Sequence, residues 1–312
     1  MNIQYMMQHT VQREAACSGI GLHSGAKVAM KLRPAPPNFG VRFRRMDLGH
    51  HPAVVAHAHH VINTSLATSI GANGATVATI EHLMAALYAT GTDNVLIELD
   101  GPEVPIFDGS AAPYLEILRE AGLKEQNVHR ECMVISRPVL VREGEAFVKA
   151  TPANQFQVHY TIDFPHPLVG KQTLLWSFNE TTFGREIARA RTFGFLKDVE
   201  RMQSHGLAQG GSLANAVVFD DFGILNQGGF RYIDECVRHK ILDFMGDLAL
   251  AGRPMIGRFE VHKAGHALHN AFIKQLVSLP GHHAIATPTY MPASFFPLNS
   301  PSPLCGPTPA FS

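Results

Sequence analysis

The sequence predicts an α+β protein of two domains, each a β-sheet layered with helices, with an active site at their interface. Three observations carry that expectation. At 312 residues the chain is long enough for two domains with separate cores. Strand-like and helix-like stretches occur in both halves, as sheets layered with helices require. Between the halves, Gly122 to Arg130 is polar and reads as a linker. The expected organisation is a first domain over 1–125, a second over 126–277, and a proline-rich mobile tail over 278–312.

In the first half, Gly19 to Gly25 is a glycine-rich turn. No Gly-Lys-Ser/Thr follows it, so it reads as a hairpin connection rather than a phosphate loop. Val28 to Leu32 partly alternates and reads as a strand, broken by Arg33-Pro34-Ala35-Pro36-Pro37. His50, His51, His57, His59 and His60 crowd one irregular stretch without ligand spacing and read as solvated loop residues. Thr76 to Tyr88 reads as a helix and Asn94 to Leu99 as a strand. Ala112 to Ala121 reads as a second helix, capped by Asp108 or Ser110.

In the second half, Val134-Ile135, Val139 to Val141, Ala146 to Val148 and Phe156 to Tyr160 read as strands. Phe183 to Arg191 reads as a helix running into Thr192. Gly194 to Val218 reads as an insert, with Phe195, Leu196, Val199 and Met202 at helical spacing and a strand over Ala216 to Phe219. From Ser278 onward no periodicity survives, and eight of the 20 prolines lie between Pro280 and Pro309. Such a segment reads as a tail without a packed core.

Composition narrows the function. Hydrophobic content of 46% with 17% charged residues fits a soluble globular protein, and the formal net charge is +0. A neutral balance argues against nucleic acid as a partner, since that binding depends on excess Lys and Arg. Cys17, Cys132, Cys236 and Cys305 are scattered with no Cys-x-x-Cys pair, which fits a reducing compartment. Met1 to Thr10 lacks the apolar core of a signal peptide, and no apolar run approaches a membrane span. A cytoplasmic protein is expected.

The chemistry centres on His239 to Asp247. Read as a helix, this stretch puts Val237, Ile241, Phe244 and Leu248 on a packing stripe and His239, Asp243 and Asp247 one turn apart on another side. An imidazole and a carboxylate one turn apart can bind one divalent ion; Asp247, a turn further, can orient another group. Gly252 and Pro254 give the helix stop. A catalytic zinc usually takes three protein ligands. Glu81-His82 offers the third, on a helix whose packing stripe is Ile80, Leu83, Met84 and Leu87. His82 would bind the ion, and Glu81 could take a proton from water. The same residues also fit an ordinary surface helix with a wet His/Lys/Asp face. By spacing alone, His266 is a loop histidine between Gly265 and Ala267, and Thr192 a commonplace strand residue.

Four stretches occur together in the order and spacing of one family: Thr79-Ile80-Glu81-His82-Leu83, Ala190-Arg191-Thr192-Phe193-Gly194-Phe195, Val237-Arg238-His239-Lys240 through Asp243 and Asp247, and Lys263-Ala264-Gly265-His266-Ala267-Leu268. The chain resembles the zinc-dependent UDP-3-O-acyl-N-acetylglucosamine deacetylases of Gram-negative lipid A biosynthesis, from about Gln12 to about Lys274. The resemblance implies one Zn²⁺ per chain on His82, His239 and Asp243, with Glu81 as general base and His266 as general acid. It also implies that Asp247 stabilises charged His266, that Thr192 donates to the oxyanion, and that Lys240 supports charge. Phe193, Val199, Ala208, Leu213 and Val218 are implied substrate contacts, the last four along a passage for the acyl chain. The implied substrate is UDP-3-O-acyl-N-acetylglucosamine, met by a monomer with peripheral contact at the inner membrane. Rival readings are a zinc amidohydrolase of another acetylated sugar and a non-catalytic nucleotide-sugar-binding regulator.

Overall fold

The computed structural model describes residues 7–287. The first half holds strands β1 (Met7–Val11), β2 (Ala15–Ile20), β3 (Lys27–Pro34), β4 (Val41–Arg45), β5 (Ala53–Val55), β6 (Val61–Asn63), β7 (Ser69–Ala72), β8 (Ala75–Val77) and β9 (Val95–Leu99), with helices α1 (Glu81–Thr90) and α2 (Ala112–Ala121). β10 (Leu123–His129) follows. The second half holds β11 (Cys132–Ile135), β12 (Val139–Glu143), β13 (Ala146–Thr151), β14 (Phe156–Phe164), β15 (Gly170–Ser177), α3 (Glu180–Thr182), β16 (Phe193–Phe195), α4 (Leu196–Ser204), β17 (Val217–Phe219), α5 (Glu235–Leu248), β18 (Met255–His262), α6 (His266–Ser278) and β19 (His283–Ala286).

The result is the expected α+β class. One five-stranded sheet has the order β2-β3-β9-β4-β5, and β6-β7-β8 form a small sheet beside it. In the second half β18 is central: β13 and β14 flank it, β12 and β15 lie outside them, and its first residues pair with β11, which pairs in turn with β19. α2 packs on β2 and α1, α5 packs on β14 and β15, and α6 packs on β12, β13 and α5. α1 and α5 pack directly on each other, so helices from both halves meet between the sheets. Most of the buried apolar side chains form one cluster running from Val11 to Leu276 through both halves, and Cys132, Val134 and Ile256 form a small separate one.

Several expectations shift. The first helix starts at Glu81, not Thr76, because Thr76 pairs with Gly71 in a hairpin and Ala78 bonds across to Pro102 and Val104. The polar stretch 122–130 contains β10, which pairs antiparallel with β1. Its alternating half-buried and exposed residues fit an edge pairing better than an irregular connection. The helix expected over 183–191 is one α turn followed by a π turn, Phe183–Ile187. The tail expected from Ser278 begins with a strand, β19, on β11; residues 288–312 lie outside the described residues. The histidine-rich stretch carries β5 and a single 3₁₀ turn, Ala58–His60, and His50, His51 and His59 are exposed. Gly19 to Gly25 does connect a hairpin, β2 to β3.

Candidate metal centre and active site

α5 is buried on all sides. Val237, Ile241, Phe244 and Leu248 pack as expected, but the face carrying His239, Asp243 and Asp247 is equally buried, each of the three being 2% exposed. That face is not a wet helix surface; α1 and α6 cover it. Gly246 makes the contact with α1 possible. A Cβ on this residue would lie 2.0 Å from the Glu81 carbonyl oxygen, so only glycine lets the two backbones approach this closely. The small Ala85 and Ala86 lie on the same buried α1.

The start of α1 is set by a strained residue. Thr79 is β-branched yet sits at φ +58°, and its hydroxyl donates to Glu103 Oε1 at 2.8 Å. Glu103 also accepts from the His23 and Ser24 amides, which ties the β2–β3 turn to this corner. Glu81 and His82 then form the first turn of α1, 3% and 2% exposed.

The structure brings His82, His239 and Asp243 together. His82 Nε2 is 3.5 Å and His239 Nε2 is 3.3 Å from Asp243 Oδ1. Atoms held about 2.1 Å from one tetrahedral ion sit about 3.4 Å apart, so both separations suit ligands of a shared ion. Asp243 Oδ1 is buried with no hydrogen-bond partner, an arrangement costly without a cation. His239 Nδ1 donates to the Ala190 carbonyl at 3.0 Å, which leaves the Nε2 lone pair directed at the cluster. Burial, the largest influence, lowers the His239 pKa to about 4, so the ring is neutral at neutral pH, as a ligand must be. Burial opposes ionisation of Asp243, but positive charge beside it, Lys240 above all at 2.7 Å, holds its carboxyl well below the usual carboxylate range. The donor set of two imidazoles and one carboxylate fits a divalent metal ion.

Next to this cluster lies a second, hydrogen-bonded one. His266 is not in a loop; it is the first residue of α6. Its Nδ1 donates to Asp247 Oδ2 at 2.7 Å, and its Nε2 lies 4.0 Å from Asp243 Oδ2. Burial acts to lower its pKa, but the Asp247 carboxylate prevails and raises it to about 9. Asp247 is correspondingly held down to about 2, against its burial. Burial pushes the Glu81 carboxyl above its ordinary range. One carboxyl raised and one imidazole raised, side by side, is an acid–base arrangement.

Lys240 Nζ bonds to Asp243 Oδ2 at 2.7 Å and lies 5.9 Å from the Phe193 ring centre. Phe193 in turn lies 6.4 Å from the His239 ring. Thr192 is half-buried, its backbone bonded to Gly109 and Val217, two residues past the carbonyl that orients His239. Arg191 fixes this segment through a bidentate ion pair with buried Glu235. Of the expected passage residues, Val199 and Val218 gather beside Gly194: Val199 Cγ2 would lie 3.4 Å from a Cβ there, and Val218 pairs with Gly194 across β16–β17. Ala208 is buried in the turn beyond α4, whereas Leu213 is 49% exposed.

Sequence reasoning missed two site neighbours. Thr68, 1% exposed, donates its amide to Glu81 Oε2 at 3.0 Å and its hydroxyl to Asp247 Oδ1 at 2.6 Å. His269 donates Nδ1–H to Asp247 Oδ2 at 2.7 Å. Thr68 lies between two short strands and makes its bonds to distant parts of the chain. The one available signal for His269 was its spacing, three residues after His266 on a helix.

The family model described as LpxC, UDP-3-O-acyl N-acetylglycosamine deacetylase, matches residues 8–278. The chain is 49% identical over 278 residues to the UDP-3-O-acyl-N-acetylglucosamine deacetylase of Myxococcus xanthus, covering 89% of this chain and 88% of that protein. It is 46% identical over 282 residues to the enzyme of that name from Anaeromyxobacter dehalogenans, covering 90% and 91%. To the one from Acidithiobacillus ferrooxidans it is 46% identical over 272 residues, covering 86% and 90%. With the match running through both halves of the site, the chain belongs to the UDP-3-O-acyl-N-acetylglucosamine deacetylase family.

Proposed function

We propose that this protein hydrolyses the acetamide of UDP-3-O-acyl-N-acetylglucosamine, giving acetate and UDP-3-O-acyl-glucosamine, in lipid A biosynthesis. The observation that carries the reading is the buried His82–His239–Asp243 cluster with Glu81 on one side and Asp247-held His266 on the other. The family and the names of its relatives supply the substrate class.

A zinc ion on His82, His239 and Asp243, one per chain, would lower the pKa of water to roughly 7 and polarise the amide carbonyl. Glu81 takes the proton as water attacks, its raised pKa suiting a base that must hold that proton. An amine anion is too poor a leaving group, so His266, charged at neutral pH, gives its proton to the departing nitrogen. Asp247 stabilises the charged imidazole. Thr192 offers its hydroxyl to the oxyanion, and Lys240, beside the cluster, supports negative charge on substrate or intermediate.

A cavity of about 340 Å³ lined by Lys240, Lys263, Gly265 and His266 extends from the site. Two lysines and the N-terminus of α6 suit a diphosphate. Phe193, Val199, Ala208, Leu213 and Val218 are assigned to the acyl-bearing end. Both halves of the site come from one chain, which supports action as a monomer. Among the described residues no helix is long and apolar enough to cross a membrane, so the reading has the protein meet its lipid-bearing substrate peripherally. Cys17, Cys132 and Cys236 are free, in keeping with a cytoplasmic setting.

Acetate release from UDP-3-O-acyl-N-acetylglucosamine, with and without a chelator, tests the proposal. Release that stops on chelation and returns with added zinc is expected. Binding of the nucleotide sugar without acetate release, or release insensitive to the chelator, would contradict it.

A further inference from the structure

We propose that His269 is a positioning residue, which through Asp247 holds the His266 imidazole facing the His82–His239–Asp243 cluster. The inference rests on the reading of His266 as the proton donor. His266 and His269 are three apart on the first turns of α6, so both rings leave the same helix face toward Asp247 of α5. Both Nδ1 atoms lie 2.7 Å from one oxygen, Asp247 Oδ2. A carboxylate only accepts, so both nitrogens carry hydrogen. The other oxygen, Oδ1, is taken by the Thr68 hydroxyl at 2.6 Å. Asp247 is thus held by three donors from two distant parts of the chain, α6 and Thr68.

His269 is itself fixed. It is 0% exposed, and its Nε2 lies 3.1 Å from the Tyr160 hydroxyl. That hydroxyl donates to the Ala264 carbonyl at 2.7 Å, two residues before His266. The ring packs on Phe244 with centroids 5.0 Å apart. Tyr160, His269 and Asp247 form a continuous brace from β14 through α6 to α5, and His266 is the one member that reaches the cluster.

Asp247, His266 and His269 could be mistaken for a second metal site, since their ligand atoms also lie close together. The distances argue otherwise. An ion between two ligands at about 2.1 Å from each keeps them about 3.4 Å apart; separations of 2.7 Å are hydrogen bonds, with no room for an ion.

Replacement of His269 by leucine and by asparagine, beside His266→Ala, separates bracing from packing. Leucine fills space without a donor; asparagine is smaller, but its amide N–H sits near the place of Nδ1. His269→Leu is expected to lower kcat about 10-fold, with KM within about twofold and metal content unchanged. His269→Asn is expected to restore most of that loss. Wild-type kcat in His269→Leu, or an asparagine variant as slow as the leucine one, would overturn the proposal. Proton NMR of the wild-type protein gives a reading that needs no folded leucine variant. Two strongly downfield, slowly exchanging imidazole N–H signals are expected, one lost in His266→Ala and the other retained. A single such signal would also overturn it. If His266→Ala turned over like wild type, the catalytic reading would fail, while the two signals would still report the brace.

Discussion

Glu81→Gln is expected to lower kcat by about 10²–10⁴ while the metal content stays at the wild-type level. Glutamine keeps the shape of the side chain and can still accept the Thr68 amide, now at 3.0 Å from Oε2. What it cannot do is take a proton from water. The carboxyl is 3% exposed, and burial raises its pKa, which moves a weak base toward the strength needed at neutral pH. His266→Ala should fall in the same range for the complementary reason: the leaving nitrogen then departs without its proton. Steady-state kinetics with metal analysis on each variant decides the matter. Near-normal turnover in either removes that residue from its assigned role.

The second large effect comes from a residue with no chemistry of its own. Gly246→Ala places a Cβ 2.0 Å from the Glu81 carbonyl oxygen, where no side chain fits. The helices must move apart. Overpacking of a tight core costs about 1–3 kcal/mol, and this contact is backbone on backbone, with no flexible side chain to yield. The displaced atoms belong to Glu81 itself and carry His82 with them. A shift of about 1 Å in a catalytic group can cost about 10²-fold in rate. A chain that is still folded, with a lower melting temperature and turnover down by about that factor, is expected from thermal unfolding and kinetics together. A variant equal to wild type in both would show that the α1–α5 approach does not matter to the site.

Much of this site was legible in the sequence because its parts are local. Four-residue spacing on one helix announced His239, Asp243 and Asp247, and an adjacent pair announced Glu81-His82. What could not be read was the setting. Nothing in the order of residues says that α5 is covered on its polar face, because α1 and α6 arrive there from distant sequence. The wet-face alternative was reasonable until those contacts were in place. Thr68, Tyr160 and His269 were hard to read for the same reason: each acts through hydrogen bonds to residues distant in sequence. The family resemblance, not periodicity, supplied His266 and Thr192.

The fold shows the same division. α2 lies at Ala112–Ala121 as read, because its apolar spacing and the following glycine are both local. α1 was placed five residues early. Thr76 and Val77 carry apolar and β-branched character that suits a strand or a helix, and pairing with β7 decides it. β10 looked like a linker because both its faces are partly wet. β19 was hidden by the proline-rich composition that begins beside it.

The central claim is that two halves of one chain each give ligands to a single metal ion. Zinc content of purified His82→Ala and His239→Ala tests it most directly, since one ligand comes from α1 and the other from α5. Both variants are expected to fall from about one zinc per chain toward none while remaining folded. Full zinc retained in either would mean that the ion is held elsewhere, and the account of this site would be wrong.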